Sequence, residues 1–265
     1  MTGTFLNLIT IILGSLVGLL IGNRLTEKMQ ESVMMGLGCV TLTIGVQNAM
    51  GSGNIILPVL AIAVGAIVGE ALDLDGALKR FGGWLQSRVA AMGVSESAAD
   101  ITKADQGRIR FITGFVTASL LFCIGPMAVL GSIQNGIDVN EVRLLAIKST
   151  LDLFASAALA STLGIGVMFS IIPTLLLQGG FSVVGMFIAR AAAAGTAATI
   201  GLSRTNPYLV ELSATGGLVL IALAFILMNM KQSRVANFLP ALVIAPLLVG
   251  LAALLNIAIY PPPIP

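Results

Sequence analysis

Lys148 and Asp152 stand four residues apart in an apolar stretch, Leu144 to Leu163, that is long enough to cross a bilayer. Four residues is one helical turn, so the two side chains share a face, about 6 Å apart. Each charge costs roughly 2.5–3.5 kcal/mol at the centre of a spanning helix on insertion scales. Such groups persist there by pairing, by lining water or by handling a solute. Ser149 and Ser156 continue the same stripe. With a helix starting near Val142, Asp152 lies about 15 Å deep, close to the middle of a ~30 Å core. Lys148 is shallower and is placed to snorkel toward the outer interface. Two readings are open: an internal salt bridge that glues helices, or a site for a cation, a proton or an anionic solute.

The following stretch carries a second constellation. Pro173 removes a backbone donor and the Gly179-Gly180 pair after Gln178 permits an unwound turn, so an interruption is expected there. Unwound backbone at membrane depth is buried in protein or lines a cavity, and broken helices of this kind form solute sites in transporters. A plain kink or re-entrant turn is the alternative. Ile124-Gly125-Pro126 is a second break candidate. Gln47-Asn48 and Gln134-Asn135 close two other apolar runs, and cap or turn duty accounts for both. Val46-Gln47-Asn48 and Ile133-Gln134-Asn135 also hint at a repeated two-helix unit. Glu211 precedes Ser213-Ala214-Thr215-Gly216-Gly217 and reads either as a first-turn carboxylate favoured by the helix dipole or as a carboxylate at an external vestibule. Asn7 is expected to hydrogen-bond between helices. The candidate binding set is therefore Asp152, Lys148, Ser149, Ser156, Pro173, Gln178, Gly179, Gly180, Pro126, Gln47, Asn48 and Glu211.

Composition dictates what must position these residues. Of 265 residues, 57% are hydrophobic and 10% charged, with a mean hydropathy of +1.01. Soluble domains carry about 25% charged residues, so the class is a polytopic membrane protein. Apolar runs about 20 residues long, rather than strict alternation, select an all-α bundle over a barrel. Eight spans are expected, at 4–22, 32–50, 55–72, 109–131, 142–163, 166–189, 208–230 and 237–259. Seven is the alternative, because the third is short and the sixth interrupted. The first span lacks a basic leader and a small-residue cleavage site, and reads as a retained anchor. The chain reads as one integral domain, 1–265, with a long loop at 73–108. Within that loop Leu74, Leu78, Phe81, Leu85 and Met92 recur at helical spacing among Lys79, Arg80 and Arg88, which predicts an interfacial helix over 74–92. Residues 93–107 read as a polar linker.

Ten of the fourteen basic residues flank the same set of loops: Arg24, Lys28, Lys79, Arg80, Arg88, Lys103, Arg108, Arg110, Lys231 and Arg234. The positive-inside rule then places loop 73–108 in the cytoplasm and both termini outside. Gly14, Gly18 and Gly22, and likewise Gly65 and Gly69, form small-residue rows that let helices touch within the chain or between copies in a homo-oligomer. Cys39 and Cys123 lie in apolar runs without metal spacing, and histidine is absent, so neither metal nor cofactor is expected. A net charge of +2 gives no reason to expect nucleic acid. No phosphate loop or G-x-S-x-G is present. A Ser–Lys dyad is disfavoured because Asp152 holds Lys148 charged. No enzyme is expected.

The strings CIGPMAVLGSIQNG (123–136), KSTLD (148–152), PTLLLQGG (173–180), ELSATGG (211–217) and NFLPAL (237–242) resemble those of the bacterial YqgA/YdfK-type membrane family of unknown function. The resemblance spans nearly the whole chain and implies a bacterial inner-membrane protein of one integral domain. It supplies no activity. The functional expectation is a small transporter or channel for an ion or small solute, with the Asp152 stripe facing the break after it. The alternative is a membrane scaffold or regulator acting on a partner through loop 73–108.

Overall fold

The computed structural model of the protein describes residues 1–22, 24–91, 101–123, 126–193, 206–230, 233–255 and 257. All regular structure among the described residues is helical. The helices are α1 (Thr2–Gly22), α2 (Glu27–Met50), α3 (Ile56–Ala71), α4 (Leu74–Ala91), α5 (Ile101–Cys123), α6 (Pro126–Ile137), α7 (Arg143–Leu163), α8 (Ile171–Ala193), α9 (Pro207–Leu227) and α10 (Ala241–Leu254). A 3₁₀ segment, Gly164–Ser170, joins α7 to α8, and another, Val235–Phe238, leads into α10.

Side-chain size sorts these helices in the sense lipid requires. On α3, Leu57, Pro58, Ala61, Gly65 and Gly69 face inward, while Ile56, Val59, Leu60, Val64 and Ile67 face outward. On α1, Phe5, Ile9, Leu13, Leu16 and Leu20 are exposed, and Gly14, Ser15 and Gly18 are buried. Small residues bring backbones together, and bulky ones meet hydrocarbon at no desolvation cost. By length and composition, five stretches among the described residues are fit to cross a membrane, or up to seven if each of two bent pairs is one span. That upper figure equals the alternative of seven; the expected eight is not reached by this measure. The bent pairs are α3 with α4 and α5 with α6.

The chain packs as two compact units. One comprises Met1–Leu37, Gly76–Cys123 and Met127–Thr196; the other comprises Gly38–Asp75, Ile124–Pro126 and Ala197–Pro265. In the first, α1 and α7 lie side by side in parallel: Gly3 meets Leu145, Gly14 meets Leu153 and Ser156, and Gly18 meets Ala157. A Cβ on Gly14 or Gly18 would overlap a carbonyl oxygen of α7. At the far end of this seam Gly164 takes φ +78°, a conformation open to glycine, and starts the 3₁₀ segment. That segment packs on Phe111 of α5 through Gly166. The chain then doubles back, because Ser182 of α8 returns to Thr4 at the start of α1, with 3.4 Å between their hydroxyls. Alternation of spans requires spans one and five to run in the same direction, as α1 and α7 do.

In the second unit the C-terminal half of α2 runs antiparallel to α9, with Gly45 against Gly217 and Ile221, and Gly38 against Met228. α3 packs on the segment entering α10, with Gly65 against Ala241 and Gly69 against Asn237. Ala61, Ala241 and Ala245 form its core, flanked by Ile62, Ile244 and Leu248. Both glycine rows are thus filled by helices of the same chain.

Two further expectations are corrected. α8 runs unbroken through Pro173 and Gln178-Gly179-Gly180. Pro173 falls in its first turn, where the missing N–H has no helical carbonyl to seek, and glycines inside a lipid-packed helix do not oblige it to unwind. The irregular backbone lies earlier, at Gly164–Ser170. α5 begins at Ile101, so the second half of the expected polar linker is helical. A helix is present where the amphipathic spacing expects one, as α4, Leu74–Ala91. Ile124 and Gly125 lie outside the described residues, although α5 does end at Cys123 and α6 does open at Pro126.

Candidate functional site

α7, 21 residues long, positions Asp152 near its middle and Lys148 one turn earlier, and they form a salt bridge. Each residue is only 7% exposed, so the pair is held inside protein. Lys148 therefore does not snorkel: its ammonium points down the helix to Asp152 and lies 5.8 Å from the Phe122 ring centroid of α5. The aromatic face and the carboxylate together replace the water that this cation gave up.

Polar groups from three other helix segments surround the pair. Asn7 of α1 lies against Asp152. The Cys123 thiol, at the end of α5, is within electrostatic reach of both charges and lies beside the Thr174 hydroxyl of α8. Gln178 is one turn further along the same face of α8 as Thr174. Asn7, Thr174 and Gln178 are each fully buried; the Gln178 amide makes no hydrogen bond, and Asn7 and Thr174 have no partner beyond Asp152 and the Cys123 thiol. Ser15 of α1 and Ser132 of α6 are buried without a hydrogen-bond partner. An unpartnered buried polar group costs about 1–3 kcal/mol, so buried groups with unfilled hydrogen-bonding capacity are a liability for folding alone.

The remaining stripe is less open than its spacing implies. Ser149 donates to the Leu145 carbonyl at 2.6 Å, and Ser156 to the Leu153 carbonyl at 2.9 Å. Ser156 also faces Gly14 and belongs to the α1–α7 seam. Gly180 is exposed with nothing within 4 Å of a Cβ position, and Gly179 meets only Leu175, so neither contributes a polar backbone group to the cluster. Thr174 was not singled out in the sequence; its signal was its place four residues before Gln178.

The other candidates sit apart from this cluster. Asn135 is fully buried and ties α6 to the start of α1: it accepts from the Gly3 N–H at 3.1 Å and donates to Thr2 Oγ1 at 3.2 Å and the Val139 carbonyl at 3.0 Å. Gln47 is exposed and Asn48 half-buried in the last turn of α2, in the second unit. Glu211, also in the second unit, is neither a first-turn residue of α9 nor at a vestibule, because it is fully buried. It accepts from Ser52 Oγ at 2.7 Å, Gly53 N–H at 3.0 Å and Asn54 N–H at 3.3 Å. A carboxylate can take several such donors, and here it fastens the turn between α2 and α3. Asn237, part of the NFLPAL string, has a similar duty. It accepts from the Asp75 N–H at 2.7 Å and donates to Glu70, which also pairs with Arg234.

Apolar helices with small residues inward and an ion pair among buried amides define a polytopic helical membrane protein with a polar interior. The chain belongs to the family described as "Protein of unknown function (DUF554)", which matches residues 2–250. It is similar to the "Uncharacterized protein YqgA" of Escherichia coli strain K12, with 29% identity over 92% of this chain and 94% of that protein. It is also similar to the "Uncharacterized membrane protein YdfK" of Bacillus subtilis strain 168, with 24% identity over 94% of this chain and 96% of the other. No solved structure matches.

Proposed function

We propose that the protein moves an ion or small polar solute across the bacterial inner membrane through the polar interior around Asp152. The observation that carries this reading is the buried polar neighbourhood of the Lys148–Asp152 pair: Asn7 beside Asp152, Cys123 and Thr174 next in reach, and Gln178, one turn beyond Thr174, with no hydrogen-bond partner. A salt bridge that only glued helices would need no such neighbours, and their cost is offset when a permeating species supplies the missing hydrogen bonds. Lys148 neutralises Asp152 at rest, and a cation or proton that took the carboxylate would release the ammonium toward Phe122. The short 3₁₀ stretch from Gly164 is the segment best suited to flex, since such geometry within long helices marks hinges. Loop charges favour an orientation with both termini outside.

The test is flux in proteoliposomes, with proton, Na⁺ and K⁺ indicators and osmotic swelling for small neutral solutes. The reading expects flux of at least one species in the parent chain and its loss in Asp152→Asn, with the variant inserted and helical. Equal flux in the parent and in Asp152→Asn rejects Asp152 as the site. Absence of every flux in the parent rejects transport.

A further inference from the structure

α4 and α5 build a second polar feature, separate in chemistry from the ion pair. Gly82 and Gly83 of α4 pack on Phe115, Ile112 and Arg108 of α5, and Leu85 and Val89 are buried on the same side. This packing leaves an open groove of about 580 Å³ lined by Lys79, Arg80, Gly83, Trp84, Gln86, Ser87 and Arg108. Three of those seven residues are basic and none is acidic.

The rim is aromatic. Phe81 and Trp84 stack with centroids 5.6 Å apart and remain 39% and 53% exposed. Arg88 lies over the Trp84 ring, 5.5 Å from its centroid, and fixes the indole at the groove edge. Exposed aromatic rings beside basic side chains are the pattern of a helix at the headgroup level of a bilayer, where indole prefers to sit.

We propose that this groove binds the phosphate of an anionic phospholipid headgroup. Arg80 and Arg108 suit phosphate oxygens through paired N–H groups, Lys79 adds a point charge, and Ser87 and Gln86 can donate to the glycerol or headgroup oxygens. Phe81 and Trp84 lie against the first carbons of the acyl chains. Membrane lipid is favoured over a soluble phosphoester because the aromatic rim gives the acyl region a place to rest, which a soluble anion would not use. The lipid would hold the α4–α5 corner to the membrane surface, whatever species passes the ion pair.

Trp84 is the single tryptophan of the chain, so its emission reports on this groove. Purified protein in an uncharged detergent is titrated with short-chain phosphatidylglycerol, short-chain phosphatidylcholine and inorganic phosphate. A saturable emission shift is expected with phosphatidylglycerol, at least tenfold weaker binding with phosphatidylcholine, and none with phosphate over the same range. Each basic residue near an anionic surface contributes about fivefold, so Lys79→Gln with Arg80→Gln and Arg108→Gln lowers affinity on the order of 100-fold. The charge-retaining set Lys79→Arg with Arg108→Lys stays within a few-fold of the parent. Equal response to both lipids overturns the headgroup assignment. Saturation by phosphate alone overturns the lipid source. The lipid comparison on the unmodified chain decides without recourse to any variant, and parent-like binding by a folded triple glutamine variant also overturns the assignment.

Discussion

Asp152 and Glu211 are both buried carboxylates on membrane-embedded helices, one in each compact unit, yet their surroundings differ in kind. Around Glu211 the partners are a hydroxyl and two backbone N–H groups of one turn, at 2.7 to 3.3 Å. Such donors do not titrate and do not leave, so the carboxylate is a fixed part of the α2–α3 connection. Around Asp152 the partners are side chains, the ionisable Lys148 and the Asn7 amide, and among the described residues no backbone N–H is committed to it. Burial alone therefore does not mark a site; what separates the two is whether the lone pairs are already committed to backbone.

That contrast can be broken by substitution. The largest effect is expected from Lys148→Met, which strands Asp152 among apolar helices and costs about 3–5 kcal/mol. Thermal unfolding in detergent should show a marked fall in midpoint, accompanied by loss of flux. Glu211→Ala removes the acceptor that fastens Ser52, Gly53 and Asn54, at about 1–3 kcal/mol in all because these donors are partly reached by water. Its midpoint should also drop, but flux per folded molecule should persist, because the turn is outside the proposed path. Lys148→Met combined with Asp152→Leu removes both charges and should lie within about 2 kcal/mol of the parent, since a buried pair is often replaceable by apolar groups. The smallest effect is the most discriminating in sign: Thr174→Val and Gln178→Leu remove polar atoms held by a thiol alone or by nothing, and should each raise stability by about 1 kcal/mol while lowering flux. A drop in stability for both would mean these groups do have partners, and would erase the distinction from Glu211.

The same two residues show what the sequence could disclose. Lys148 and Asp152 were legible because their relation is local: one helical turn fixes it before any tertiary contact exists. α4 was legible for the same reason, from apolar spacing among basic residues. Glu211 was misread because its partners, Ser52, Gly53 and Asn54, lie more than 150 residues away and leave no local trace. The break expected at Pro173 and Gly179-Gly180 failed on position. Proline in a first turn has no hydrogen bond to forfeit, and glycine within a helix in lipid is tolerated. The actual irregularity needed Gly164, whose positive φ is invisible among 30 glycines. Asn7 was anticipated as an interhelical residue, but its place beside Asp152 follows from the parallel α1–α7 seam, which spacing alone does not specify.

The central claim is that the Lys148–Asp152 pair serves passage rather than assembly, and one paired measurement addresses it directly. Flux is recorded in proteoliposomes carrying the Lys148→Met, Asp152→Leu double variant and, in parallel, Glu211→Gln, each normalised to folded, inserted protein. The account predicts no flux above empty liposomes for the double variant and parent-like flux for Glu211→Gln. Parent-like flux through the charge-free double variant would contradict it and return the pair to the status of a salt bridge between packed helices.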